Sequence, residues 1–581
     1  MIDNVFEKGV AIIQWDVRLT VAVSFISIFL LTQVITSVRS SIALRSKGNI
    51  KTPPLMPYSI PGLGNLVAFA FDTQAFLTNI VKIYGPNVPV QIRVLNRKIH
   101  FISGADSVLA LFKGSRDLTT VPTSILILEN AFGSPPEARP VFERDNTGVF
   151  KEPLPNSNGI EPHNRVFRIT HQALHRNLQG NALIDLADRS LKGLAAELSA
   201  LDVEYNGWTE IPDLYAIIKK TVFKASTSAM CGPHLFELNP NFTNDFWEFD
   251  SKMPGLFKNL PRWLIPRSFQ IRDKLTASIT KWHRFASEHV DAADPNLINV
   301  EWEEYFGARV MRERKRDHDA IDGFSEQAQA ANDLGMIWGS NANIVPIIGW
   351  GMIDILIRPE LLSQVRGEIN DCSDHTKQGV AALEMPKLLA SPLLQSIYSE
   401  ELRVRNGVII QRVPVVDNFK IGSWKFPKGQ MITTSTWHEA RDQNVWNEGP
   451  VNGEFHSVED FWAERFLVYP NDPNTGPRKP NPDSKLKVPK ADEKASDNKP
   501  KFTAAPVTGS YIPYGGGEKI CPGRFYAKQE ALGALAILLT MFDIELKDKD
   551  KMPQPNLEFF PFGVVPPNDK IPARMRRRRP E

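Results

Sequence analysis

The segment Tyr511-Ile-Pro-Tyr-Gly-Gly-Gly-Glu-Lys-Ile-Cys-Pro-Gly-Arg524 gathers residue types that can do chemistry. Gly515, Gly516 and Gly517 open backbone shapes closed to other residues and let the chain approach a flat ligand closely. Pro522 suits the first position of a helix, and Phe525 to Phe542 is apolar at helical spacing. Cys521 therefore falls at a helix N-terminus, where unpaired N–H groups and the helix dipole stabilise a thiolate. A thiolate on a glycine-lined loop suits the axial ligand of a haem iron, where it donates electron density and favours O–O cleavage. Taken alone, the loop also reads as an inert buried cysteine after a glycine turn. The other cysteines, Cys231 and Cys372, are remote; three dispersed cysteines form neither a disulfide framework nor a zinc module and suit a reducing compartment.

Three further constellations bear on that loop. Glu400 and Arg403 lie three apart, on one face of a helix, where they can pair. Downstream stands Phe461-Trp-Ala-Glu-Arg-Phe466. A helix from Asp333 contains Trp338-Gly-Ser-Asn-Ala-Asn-Ile-Val-Pro346, in which Pro346 removes a backbone donor and should distort the helix.

The cysteine loop resembles the cytochrome P450 haem signature, Phe-x-x-Gly-x-x-x-Cys-x-Gly, through Tyr514, Gly517, Cys521 and Gly523. Tyr514 replaces Phe, and Lys519 stands where the family carries Arg or His for a haem propionate. Glu400 and Arg403 resemble the family's Glu-x-x-Arg pair, and Arg465 its Pro-Glu-Arg-Phe arginine. The resemblance implies a structural triad of Glu400, Arg403 and Arg465, with Arg412 as a candidate propionate partner. It also makes the Asp333 helix the one crossing the oxygen site. There many members carry an acid and a threonine; this chain has Ala342 and Asn343. That pair, with Pro346, resembles the branch of sterol and bile-acid hydroxylases and prostacyclin synthase. Leu178–Leu183, Glu248–Gly255 and Gly563–Asp569 are similar to segments of the same branch.

Positioning these groups falls to a mainly α architecture with a smaller β region. In 581 residues, 42% hydrophobic and 23% charged, a sizeable core is available, and a net charge of +2 gives no electrostatic case for nucleic acid as a main partner. Leu19–Val38 is an uncharged run long enough to span a bilayer. Arg39, Arg45, Lys47 and Lys51 follow it, so the positive-inside rule places residues 1–18 in the lumen and the body in the cytosol. Residues 39–65 read as a basic, proline-rich hinge, and 66–581 as the catalytic domain. Helices are expected over Asn181–Leu201, Asp333–Ile357 and Lys387–Leu402, and a strand pair over Val90–Ile102 with its turn at Asn96-Arg97. Residues 132–165 read as a long loop, 468–503 as a solvated, flexible insertion, and the terminal Arg-Met-Arg-Arg-Arg-Arg run as a charged edge strand or tail.

The resemblance implies haem b, dioxygen, and electrons from NADPH through a cytochrome P450 reductase, with the chain a single-pass protein of the endoplasmic reticulum membrane. Lys519, Arg524 and Lys528 could help dock the reductase. Apolar stretches at 132–165, at 246–262 (Phe249, Met253, Leu256, Phe257) and at Phe559–Val565 suit a large hydrophobic substrate such as a sterol, triterpenoid or other specialised metabolite. Two alternatives share the scaffold: an isomerase or dehydratase of a peroxide that needs no reductase, and a non-catalytic haem sensor.

Overall fold

A computed structural model describes residues 3–45, 48–154, 157–377, 379–450, 453–480 and 499–579. Its principal helices, in chain order, are α1 (Asp3–Arg45), α2 (Val166–Asn177), α3 (Gly180–Ser199), α4 (Leu214–Cys231), α5 (Phe242–Phe257), α6 (Pro266–His289), α7 (Glu326–Asn341), α8 (Ile344–Ile357), α9 (Pro392–Arg405) and α10 (Arg524–Met541). Its principal strands are β1 (Val90–Val94), β2 (Arg97–Phe101), β3 (Leu118–Thr119), β4 (Thr209–Ile211), β5 (Ile409–Pro414), β6 (Met431–Ser435), β7 (Leu467–Val468), β8 (Lys501–Phe502), β9 (Phe542–Leu546) and β10 (Ala573–Arg577).

The described chain divides into two compact units. One comprises residues 1–119 and 410–434. It holds α1 and a five-stranded sheet of order β1-β2-β6-β5-β3. The expected strand pair is the β1–β2 hairpin, with Val90 opposite Phe101 and Val94 opposite Arg97. Its turn sits one residue earlier than expected, because Leu95 takes a left-handed φ of 55°. The expected Leu19–Val38 run lies within α1, whose stretch Val17–Arg45 contains a window apolar enough to cross a membrane. Phe25, Leu30 and Leu31 point outward, whereas Thr36 and Ser40 are buried. Thr36 Oγ1 donates to the Tyr58 carbonyl at 3.1 Å and Ser40 Oγ bonds the Tyr84 hydroxyl at 2.9 Å. The last turns of α1 thus pack against the proline-rich segment, and residues 39–45 are helical.

The second unit comprises residues 120–409 and 435–581. Its centre is α8, in which every residue from Ile344 to Leu356 is buried; a helix apolar on all sides must be covered on all sides. α4, α9 and α10 pack around it. Close approach is built in: a Cβ on Gly351 of α8 would touch Leu535 of α10 at 3.4 Å, and one on Gly533 would overlap Leu191 of α3 at 2.6 Å.

Several boundaries differ from expectation for local reasons. The Asp333–Ile357 helix is interrupted at Ala342 and Asn343, because Pro346 lacks the N–H that would reach the Ala342 carbonyl. Lys387–Leu402 is interrupted at Ser391, since a residue before proline is pushed out of the α region. The 132–165 segment is not loop throughout: Arg139–Arg144 is helical, and Phe142 packs edge-on to Phe324, with centroids 5.7 Å apart. The terminal arginines form a central strand rather than an edge. β10 pairs with β9 on one side and β4 on the other, and Arg574 and Arg576 both lie over the Trp208 ring. The ends of the 468–503 insertion are closed by the β7–β8 ladder, with Leu467 opposite Phe502. Its middle, 481–498, lies outside the described residues.

Candidate functional site

Cys521 sits just ahead of α10, which begins at Arg524 with Gly523 as N-cap. Pro522 is therefore outside the helix rather than its first residue. The backbone N–H groups of Gly523 and Arg524 nevertheless donate to the Cys521 sulfur. Burial pushes the thiol pKa up; those N–H groups and the Arg524 guanidinium pull it down. The loop closes on itself where the Cys521 N–H donates to the Tyr514 carbonyl at 3.0 Å. Gly515 and Gly517 hold φ values of 71° and 67°, which a side chain would strain. The hydroxyl that distinguishes Tyr514 from Phe bonds the buried Tyr398 hydroxyl of α9. Tyr511 ties the loop to α9 a second time, donating to the Ser399 carbonyl at 3.2 Å.

Positive charge gathers beside this loop. The Lys519 ammonium lies 5.8 Å from the centroid of Phe167 on α2. His171 of α2 is pushed down to about 4, first by burial and then by His175, Lys519 and Arg168. Arg168 and His171 were not singled out from the sequence; their three-residue spacing on one helix face was the available signal. Lys528 is less available than its sequence suggests: half-buried, it donates to Gln395 Oε1 at 2.6 Å.

Behind the loop the Glu400 carboxylate is fully enclosed. Arg403 grips it at 2.7 and 2.8 Å, Arg465 donates at 2.9 Å, and the Trp462 N–H at 3.0 Å. The remaining arginine donors reach the carbonyls of Ala440, Val458, Ser457, Asn447 and Asp460. All three charged side chains are 0% exposed; burial raises the Glu400 carboxyl, but its two guanidinium partners outweigh that and hold it at about 2, below the usual carboxylate range. Arg412 lies on β5 in the other unit, buried and lowered by that burial to about 10.

On the oxygen-side helix, the break separates α7 from α8 at Ala342 and Asn343. Asn343 Oδ1 accepts the Val564 N–H at 2.9 Å, which orients the amide. A Cβ on Gly563 would fall 2.7 Å from that oxygen and displace the amide. Gly339, one turn earlier, is exposed although α7 and α8 are largely buried, and a Cβ on it would meet nothing within 4 Å. An aromatic wall runs from the same place. Trp338 packs against Phe132 (5.9 Å) and Phe257 (5.5 Å), and Phe257 stacks on Phe562 (5.0 Å). Phe257 thus joins the wall, whereas Phe249, Met253 and Leu256 are packed into the α5–α6 core. A separate surface groove between α6 and α7, lined by Thr276, Lys281, Arg284 and Phe285, includes none of these groups.

A sulfur held by two backbone N–H groups on a glycine loop, beside a basic cluster, fits an anionic thiolate ligand of a propionate-bearing haem. Comparison with known proteins agrees: residues 214–467 match the Cytochrome P450 family model. The chain is 34% identical to cytochrome P450 monooxygenase fsoE of Humicola fuscoatra, covering 100% of this chain and 97% of that one. It is 34% identical to cytochrome P450 monooxygenase efuG of Hormonema carpetanum, over 97% of both. It is 23% identical to the cholesterol 7-alpha-monooxygenase of Cricetulus griseus, over 68% of this chain and 72% of that one. The chain belongs to the cytochrome P450 family, and its class of activity is monooxygenation with a haem cofactor.

Proposed function

We propose that this enzyme inserts oxygen into a large hydrophobic, polycyclic substrate of the sterol or triterpenoid class. In this reading it draws electrons from NADPH through a partner reductase and is anchored by α1 in the endoplasmic reticulum membrane with its body in the cytosol. The observation that carries the substrate reading is the aromatic wall of Phe132, Trp338, Phe257 and Phe562 beside the open space at Gly339. Such a surface favours a broad apolar ligand over a small polar one. Bound haem supplies the activation of dioxygen; the chain supplies placement and charge. Cys521 would ligate the iron, with Gly517 and Gly523 giving it room. Lys519 would meet a propionate, and Glu400, Arg403 and Arg465 would keep the elements behind the loop in register. The Asn343 amide nitrogen, which makes no hydrogen bond among the described residues, would be available to substrate or oxygen. Ala342 leaves space where an acid would stand.

A reductase-independent isomerase or dehydratase of a peroxide draws on the same feature, the absence of an acid and hydroxyl pair at Ala342 and Asn343. Labelled dioxygen separates the two. With NADPH, reductase and a sterol or triterpene panel, the label enters the product; turnover of a peroxide with no need for NADPH would overturn the monooxygenase reading for this chain. The reduced carbon-monoxide difference spectrum of wild type and Cys521→Ala tests the ligand: a strongly red-shifted Soret band lost in the variant is expected, and an unchanged band would remove Cys521 from the iron.

A further inference from the structure

Asp250 is out of place. It sits on α5 between Phe249 and Met253 and is 8% exposed. One carboxylate oxygen, Oδ1, accepts the Trp338 indole N–H at 2.9 Å. The other, Oδ2, takes no hydrogen bond from any described residue, and no cation forms an ion pair with the group among them. Lys219, the nearest positive influence, lies instead over the rings of Tyr215 and Trp247. Burial raises the carboxyl to about 7. That oxygen is not sealed off within a side chain that is otherwise buried, so an entering hydrogen-bond donor can reach and complete it.

The surroundings say what that is. Trp338 joins Asp250 to the wall through Phe257 and Phe562, and the next residues, Gly563 and Val564, hold Asn343. Trp338 and Asn343 are five residues apart along nearly helical chain, on the order of 7–8 Å. The wall thus has a polar group at each end: the Asn343 amide by the helix break and the Asp250 carboxyl beyond Trp338.

We infer that Asp250 Oδ2 is a specificity-determining anchor that accepts a hydrogen bond from a hydroxyl on the substrate, so that the ligand is a polycyclic alcohol held by its hydroxyl end away from the Asn343 end. This deepens the proposed substrate class and rests on it. Trp338 acts as a positioning residue, occupying Oδ1 so that Oδ2 alone is presented. A site built to bond a hydroxyl rejects the analogue without it, because the protein group is then left unpaired.

The test uses the full-length haem-loaded enzyme in detergent at pH 8.5 and follows the optical spin shift on binding. The probes are steroid and triterpene scaffolds, each as the 3-hydroxyl, the 3-ketone and the 3-deoxy compound. Wild type should bind the hydroxyl about tenfold more tightly than the deoxy compound or the ketone, a difference of about 1.4 kcal/mol. Asp250→Asn keeps the shape and the acceptor for Trp338 but turns a donor toward the ligand, so the ketone should gain about tenfold on the hydroxyl. Asp250→Leu should bind all three alike. If Asp250→Leu fails to fold, the isosteric Asp250→Asn decides, with the deoxy compound reporting an intact pocket. Equal binding of hydroxyl and deoxy compounds by wild type, or a hydroxyl-to-ketone ratio unchanged in Asp250→Asn, overturns the anchor and leaves the substrate class standing. Absence of a spin shift with every scaffold in wild type overturns the substrate class, and the anchor with it.

Discussion

At the scale of single residues, the loop's departure from its family pattern has a physical account. A phenylalanine at position 514 would pack; the tyrosine found there also bonds Tyr398, which is 4% exposed. Burial drives the Tyr514 hydroxyl well above its ordinary pKa, so it stays a neutral donor or acceptor. Tyr514→Phe should therefore keep the thiolate Soret band and lower stability by about 1–3 kcal/mol, because it leaves the Tyr398 hydroxyl buried without that partner. Chemical denaturation read by haem loss measures it, and a neutral variant would mean the bond contributes nothing. The cysteine, its glycines and the Glu400–Arg403 pair were legible because their spacing is local. Asp250 was not. Its meaning depends on Trp338, 88 residues away, and a lone aspartate between apolar residues carries no periodic signal.

At the scale of elements, sequence periodicity placed the helices but missed where they stop. Helical spacing continues through Ala342–Asn343 and through Ser391, and in both places a proline a few residues on decides the backbone. The arginine-rich β10 was misread for a different reason: strand position within a sheet depends on long-range pairing with β9 and β4, which charge patterning does not encode. Two predictions belong here. Asn343→Ala leaves the Val564 N–H without its acceptor at a position 3% exposed, a loss of about 1–3 kcal/mol. The Gly563–Val564 turn, and Phe562 with it, is then less fixed, so product analysis should show a broader spread of oxidation positions; an unchanged single product would separate Asn343 from substrate placement. Glu400→Gln removes one charge from a closed ion triad and leaves two buried guanidinium groups facing a neutral amide. The expected cost is about 3–5 kcal/mol, seen as poor haem retention on purification. Recovery of wild-type haem content would show the triad to be replaceable.

At the scale of the whole molecule, buried carboxyls set the pH response. Glu530 of α10 is 1% exposed and raised to about 8 by burial, with Ser226 and Ser190 only partly offsetting it. Glu401 is raised as well, by burial and by the neighbouring Asp354 carboxylate. Both bind a proton in the fold that the unfolded chain releases near its ordinary glutamate pKa. Their contribution is thus fully present below that value and lost as pH rises toward the folded one. Glu400 runs the other way. Its folded pKa is near 2, so its contribution is present above the ordinary glutamate value and disappears as pH falls below it. Neutral His318, lowered to about 3 by burial, adds a further loss on the acid side as unfolded histidine takes up its proton. Between pH 6.5 and 8 Glu400 is silent, His318 and His171 fade out as the unfolded histidines lose their protons, and Glu530 and Glu401 retain protons that the unfolded chain has released. Each retained carboxyl proton should therefore lower stability by about 1.4 kcal/mol per pH unit there, opposed near pH 6.5 by the histidines. Thermal unfolding of the full chain in detergent at pH 6.5 and 8 measures the slope. Glu530→Gln, a neutral mimic of the protonated acid, should flatten it by one proton while leaving the lower-pH Tm nearly unchanged. A slope that is the same in wild type and variant would mean that Glu530 is already ionised in the fold, with Ser190 and Ser226 stabilising its charge.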